Sequence, residues 1–183
     1  MFSPSHRCPG QNQRVLPPME VEFFTITYNC RGLKQNQKRV KIFNYLKEKA
    51  KSGIFLLQET HSTEEEKNKL RIDWVGDLLL NHGTSNSRGT LIAFSKNLDY
   101  KLEKYETDNE GRIQICSIIL KERKFLIINV YNENTEKEQV ILLKKLDSLL
   151  EKFNENLDHE VILGGDFNFI MDKTLDAQGG PLS

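Results

Sequence analysis

The chain lacks net charge. Its 26 Lys and Arg balance 26 Asp and Glu, so no long-range basic field gathers nucleic acid, and any phosphate-binding surface has to be a local patch. Cysteine is scarce: Cys8, Cys30 and Cys116 show neither the spacing of a disulfide framework nor that of a metal knuckle. So sparse and odd a set fits a reducing intracellular compartment, nuclear or cytoplasmic. No apolar run approaches the ~18 residues that a bilayer-crossing helix needs, so no membrane partner is expected. Proline is confined to Pro4, Pro9, Pro17, Pro18 and Pro181. The first twenty residues hold most of it and have no hydrophobic stretch of the kind a secretory signal requires. Residues 1–20 therefore read as a disordered leader, with Met19 as an alternative start.

What is present is an ordinary folded composition, 38% apolar and 28% charged over 183 residues, enough for one domain with a substantial core. That domain is placed at 21–183. Residues 22–28 alternate and are rich in β-branched and aromatic side chains, which predicts a strand, while 36–50 carry Val40, Ile42, Phe43, Tyr45 and Leu46 at helical spacing. Ile54-Phe55-Leu56-Leu57 is a short continuous apolar run, the kind of strand buried on both faces. Thr63 with Glu66 predicts a capped helix start. Further strands are predicted at 77–80, 89–94, 100–106, 112–120 and 124–130. A long helix follows at 135–153, with Val140, Leu142, Leu143, Leu146, Leu149 and Leu150 turned to the core, then a last strand at 159–163.

This order, βαβα, a β-meander and then αβ, suits an α/β sandwich of two packed sheets with helices outside. The closing loop Gly179-Gly180-Pro181-Leu182-Ser183 comes soon after the last strand. A sheet that ends there keeps an uncovered edge, so the domain reads as incomplete. Trp74 is expected as a partly buried anchor. Lys34, Lys38, Arg39, Lys41, Lys47, Lys49 and Lys51 form a basic run against Glu48 alone; it reads either as the solvated face of a helix or as a local phosphate-facing patch.

Candidate chemistry collects behind the apolar strands. Ile54–Leu57 runs into Gln58-Glu59-Thr60-His61, and Val161-Ile162-Leu163-Gly164-Gly165 runs into Asp166-Phe167-Asn168. In layered α/β proteins the C-terminal strand ends share one rim, where ligands bind. Glu59, Asp166 and Asn168 are expected to meet there, and carboxylate and amide oxygens at such a rim suit a hard cation such as Mg²⁺ together with phosphate oxygens. Asn29 after the first strand, and Tyr131 with Asn134 after Asn129-Val130, add further polar groups at strand ends.

Taken together, Asn29-Cys30-Arg31-Gly32-Leu33, Gln58-Glu59-Thr60-His61, Asn129-Val130-Tyr131-Asn132-Glu133-Asn134 and Gly164-Gly165-Asp166-Phe167-Asn168 resemble the endonuclease/exonuclease/phosphatase family. Within it the resemblance is closest to the apurinic-type endonuclease domain of non-LTR (LINE-type) retrotransposons, C-terminally truncated, and it runs over about residues 22–176. It implies an incomplete four-layer α/β/β/α sandwich and a monomeric, Mg²⁺-dependent endonuclease acting on DNA. Mn²⁺ is the alternative ion, and no small-molecule cofactor is implied. By resemblance Glu59 is the main metal ligand, with Asn29 beside it holding metal and phosphate. Tyr131 contacts the scissile phosphate and Asn134 lies near it. Asp166 orients or deprotonates the attacking water, and Asn168 helps to position it.

The sequence departs from the family in two places. Arg31 stands where many repair-type relatives carry an acid, leaving Glu59 as the acidic ligand at that end; Arg31 becomes a candidate phosphate grip. The family's closing Ser-Asp-His segment does not follow Asp166, and His61, His82 and His159 belong to other motif contexts, with His61 expected to hold the loop near Glu59. The chain as given is therefore expected to be weak or inactive. The competing readings are a non-catalytic remnant of an open reading frame, or a family member acting on RNA or a phospholipid head group.

Overall fold

The computed structural model describes residues 22–153 and 158–168. The expected leader, Cys8 and the closing segment 179–183 lie outside the described residues. Two four-stranded sheets face each other. The first contains β1 (Phe24–Asn29), β2 (Gly53–Gln58), β3 (Leu78–Asn81) and β4 (Thr90–Phe94) in the order β1-β2-β4-β3. The second contains β5 (Lys101–Thr107), β6 (Ile113–Leu120), β7 (Arg123–Tyr131) and β8 (Glu160–Asp166) in that order. The expected meander is thus shared between the sheets: β3 and β4 pair antiparallel in one, and β5, β6 and β7 in the other. The two parallel pairs, β1 with β2 and β7 with β8, are joined by α1 (Asn36–Lys49) and α3 (Glu136–Glu151), because a parallel connection needs a crossover long enough to return to the starting edge. A short α2 (Lys67–Asp73) follows a 3₁₀ turn at Glu64–Glu66, and the Thr63/Glu66 capping box forms there as the spacing predicts.

Burial divides into three layers. Phe43, Leu46, Phe55, Leu57 and Trp74 fill the space between the first sheet and its helices. Ile54, Leu56, Ile92, Phe94, Cys116 and Ile127 lie between the sheets, and Ile113, Ile128, Leu142 and Leu149 lie under α3. β2 and β4 are buried at every position, as a continuous apolar run packed on both faces requires. The four-layer arrangement follows from that alternation of inner and outer contacts.

Three expectations about side-chain burial change. Arg39 is not part of a solvated basic face. It is 5% exposed, its Nε is 2.6 Å from Asp73 Oδ2, and Nη1 donates to Leu33 O at 3.1 Å; an enclosed guanidinium needs those acceptors. Trp74 is fully rather than partly buried, and its indole N–H donates to Phe94 O at 3.0 Å. The apolar stripe of α3 is wider than the sheet surface it meets: Leu142 and Leu149 are buried, but Val140 and Leu143 remain 48% and 45% exposed.

The last strand continues through Gly164, Gly165 and Asp166 instead of ending at Leu163. Gly165 is required there by the backbone, and Gly164 leaves room for Leu56. A Cβ at Gly164 would stand 2.6 Å from Leu56 Cδ1 of the facing sheet, and one at Gly165, whose φ is 150°, would stand 1.9 Å from Val130 O. The missing side chains let β8 approach both sheets closely and carry Asp166 to the rim as the strand's last residue.

Candidate active site

Four strands deliver one group each to the same rim. Asn29 ends β1, Glu59 follows β2, Tyr131 ends β7 and Asp166 ends β8. Parallel register sets Tyr131 beside Asp166, and it sets Asn29 beside Gln58, one residue before Glu59. The groups from the two sheets then touch. Asn29 Nδ2 donates to Glu59 Oε1 at 2.8 Å and to Asp166 Oδ2 at 2.7 Å, and Tyr131 OH donates to Glu59 Oε1 at 3.1 Å. The amide orientation is fixed from behind, since Arg31 N donates to Asn29 Oδ1 at 3.0 Å. Asn29 therefore presents its NH₂ to both carboxylates and its carbonyl oxygen to the backbone.

Glu59 sits in a left-handed backbone conformation (φ 49°) that a non-glycine residue adopts only when its surroundings enforce it. Here Gly32 N donates to Glu59 O at 2.7 Å and Thr60 N donates to Gly89 O at 2.9 Å. His61 Nε2 lies 3.6 Å from Glu59 Oε2, and its ring packs on Gly32. Burial, reinforced by the Glu59 carboxylate, pushes the Tyr131 phenol up to about 12, so at neutral pH it is a hydrogen-bond donor.

The remaining expected residues are placed differently. Asn168 N donates to Asp166 Oδ1 at 3.3 Å, an Asx-type turn that steadies the carboxylate, while its side-chain amide turns away to Asn132 O at 2.9 Å. Arg31 and Asn134 are exposed on the rim, and neither side chain joins the hydrogen bonds of the cluster.

Directly beneath the rim lies a layer of amides to which sequence reasoning gave no role. Gln58 Nε2 donates to Asn129 Oδ1 at 2.7 Å and to Leu56 O at 2.8 Å; Asn129 Nδ2 donates across to Leu57 O and Leu91 O at 3.1 and 3.2 Å. Gln114 Nε2 donates to Tyr105 OH at 2.7 Å. The bonds from Gln58 to Asn129, and from Asn129 to Leu57 O and Leu91 O, cross from one sheet to the other and so fix the sheets' relative position just below Glu59 and Tyr131. The available signal was a lone amide inside an otherwise apolar strand, as with Asn129 between Ile128 and Val130, since a buried amide must find partners.

Among the described residues no three His, Cys, Asp or Glu side chains gather as a metal cage, but the two carboxylates at the rim are oxygen donors of the kind a hard divalent ion takes. Two carboxylates converge on one amide nitrogen, and among the described residues no Lys or Arg lies within ion-pair distance of either. Oxygen ligands with uncompensated negative charge suit Mg²⁺, which takes one or two protein carboxylates and completes its shell with water and phosphate. Glu59 is the residue placed to hold it, while Asn29, also expected as a ligand, turns its NH₂ rather than its oxygen toward the carboxylates.

Comparison with known proteins identifies the family of the fold. Residues 26–178 match the model of the Endonuclease/Exonuclease/phosphatase family. The chain belongs to that family. It is 27% identical over 146 residues to the Transposon TX1 uncharacterized 149 kDa protein of Xenopus laevis, covering 80% of this chain and 11% of that protein. Among solved structures it is similar to D. rerio TDP2 complexed with a single-strand DNA product (TM-score 0.58, 20% identity, 83% of this chain and 63% of that one). It is also similar to the AP endonuclease LMAP of Leishmania major (TM-score 0.55, 19% identity, 78% and 54%). The chain thus spans about a tenth of the transposon protein's length and under two thirds of these solved relatives. At such identities the structural likeness speaks to the fold, an α/β sandwich shared by nucleases and phosphodiesterases of the family.

Proposed function

We propose that the Asn29–Glu59–Tyr131–Asp166 cluster is a Mg²⁺-dependent site for phosphodiester cleavage in DNA, of the retrotransposon endonuclease type. The supporting observation is the convergence of two carboxylates from opposite sheets on one amide nitrogen, with a phenol donating to one of them. Glu59 would hold Mg²⁺ (or Mn²⁺), which would supply a Lewis acid for a phosphoryl oxygen and for the charge developing there. Asp166 accepts the proton of the attacking water, steadied by the Asn29 amide and by Asn168 N. Tyr131, protonated at neutral pH, gives its single O–H to Glu59 Oε1 in the free site and turns it to a phosphate oxygen, where charge accumulates, when substrate binds. Asn134 and Arg31, exposed on the rim, face the flanking phosphates. DNA is favoured over RNA or a lipid head group by the transposon relative and by a fold shared with a DNA-bound structure. All four groups come from one chain, so the site needs no second copy.

The test is Mn²⁺ binding and nicking of supercoiled DNA by the 183-residue chain. Glu59→Gln is expected to weaken ion binding by about tenfold or more and to abolish nicking, with the unfolding midpoint unchanged. Nicking by that variant at the parent rate would sink the assignment. Asp166→Asn is expected to keep most of the ion affinity while nicking falls by roughly 10²–10⁴-fold, the usual range for a lost general base. Ion binding without nicking by the unaltered chain would select the non-catalytic reading.

A further inference from the structure

Arg112 stands beside Tyr131 and grips it. The peptide N–H of Tyr131 donates to Arg112 O at 2.8 Å. The Arg112 side chain then returns over the tyrosine: its Cζ lies 5.0 Å from the ring centroid, and Nη1 donates to Tyr131 O at 3.3 Å and to Asn132 O at 3.2 Å. Nη2 pairs with the Glu133 carboxylate. Every side-chain hydrogen bond that Arg112 makes among the described residues therefore falls on residues 131–133. The residue is 7% exposed, and its Nε is buried without a partner among the described residues. Burial holds the guanidinium below the ordinary arginine range while Glu133 pulls the other way.

The bond from Tyr131 OH to Glu59 restrains only the tip of the ring. A side chain at the end of a strand needs a wall along its face as well, or the hydroxyl swings, and a displacement of ~1 Å from the reacting geometry can cost ~10²-fold in rate. A planar guanidinium can lie on the ring and fork to carbonyls at once; an ammonium cannot. From this geometry we infer that Arg112 is the positioning residue for Tyr131, holding its hydroxyl where Glu59 and a phosphate oxygen meet. The inference rests on the reading of Tyr131 as a phosphate donor.

Two measurements test it. In the metal-free chain, ring-labelled Tyr131 is expected to give an NMR spectrum of a slowly flipping ring. Arg112→Met, which keeps the stem and loses the plane, is expected to average it, with Arg112→Lys restoring it only in part. In nicking assays Arg112→Met is expected to lower kcat about tenfold at unchanged KM, but by less than about twofold in a Tyr131→Phe background, because the two residues act as one unit. An unaltered ring spectrum in Arg112→Met, or the same loss of kcat in both backgrounds, would overturn the proposal. If Arg112→Met does not fold, Arg112→Lys carries the same comparisons. Should the chain not nick at all, or Glu59→Gln nick like the parent, the function falls while the ring spectrum still decides the role of Arg112.

Discussion

Glu59 and Tyr131 leave β2 and β7, strands enclosed along most of their length, whereas Asn29 and Asp166 leave β1 and β8, the edge strands of their sheets. The edges lie against each other across the sandwich and expose Phe24, Tyr28, Val161 and Leu163. Half of the site is thus anchored by core packing and the buried amide layer. The other half is anchored by edge strands that have, among the described residues, a neighbour on one side only, so the hydrogen bonds of Asn29 to Glu59 and Asp166 do for the edges what packing does for the centre. Edge strands open at lower free energy than central ones, and this difference is measurable.

The largest contrast is expected between Phe55 and Phe24. Phe55→Ala empties a fully buried position against Trp74 and should cost about 3–5 kcal/mol in urea unfolding. Phe24→Ala, at 64% exposure, should stay within about 0.5 kcal/mol. Comparable losses would mean that β1 is covered in solution. A smaller effect is expected in the amide layer: Asn129→Ala leaves Gln58 and two strand carbonyls short of partners, at about 1–3 kcal/mol. A neutral result would remove that layer as the anchor of the central half. The smallest effect is kinetic. Burial pushes both the Cys30 and Cys116 thiols up to about 12, so at pH ~8 neither reacts until its strand opens. In a Cys8→Ser background, Cys30 at the end of β1 should be labelled about tenfold faster than Cys116 in β6. Equal rates would erase the distinction between edge and centre.

Most of the architecture was legible because it rests on local pattern. A continuous apolar run marked β2, turn-rich breaks marked β4, Thr63 and Glu66 marked a helix start, and helical spacing marked α1. Asn29, Glu59, Tyr131 and Asp166 were legible as strand-end groups because each follows a strand with a recognisable motif, whereas Arg31, Asn134 and the Asn168 side chain do not join the cluster. Arg39 and Arg112 were not, since a basic residue reads as solvated until a distant Asp73 or Glu133 is seen to enclose it. The glycines before Asp166 read as a loop because their reason, Leu56 of the facing sheet and Val130 of the neighbouring strand, lies far away in sequence.

By itself the order of residues determined which segments become strands, which side chains stand at strand ends, and the family those motifs announce. Only the tertiary structure decided that Asn29 turns its NH₂ toward both carboxylates, that amides tie the two sheets together beneath them, and that Arg112 covers the Tyr131 ring. Strand identity is written in neighbours along the chain, whereas these contacts join residues that meet only once two sheets have been laid face to face.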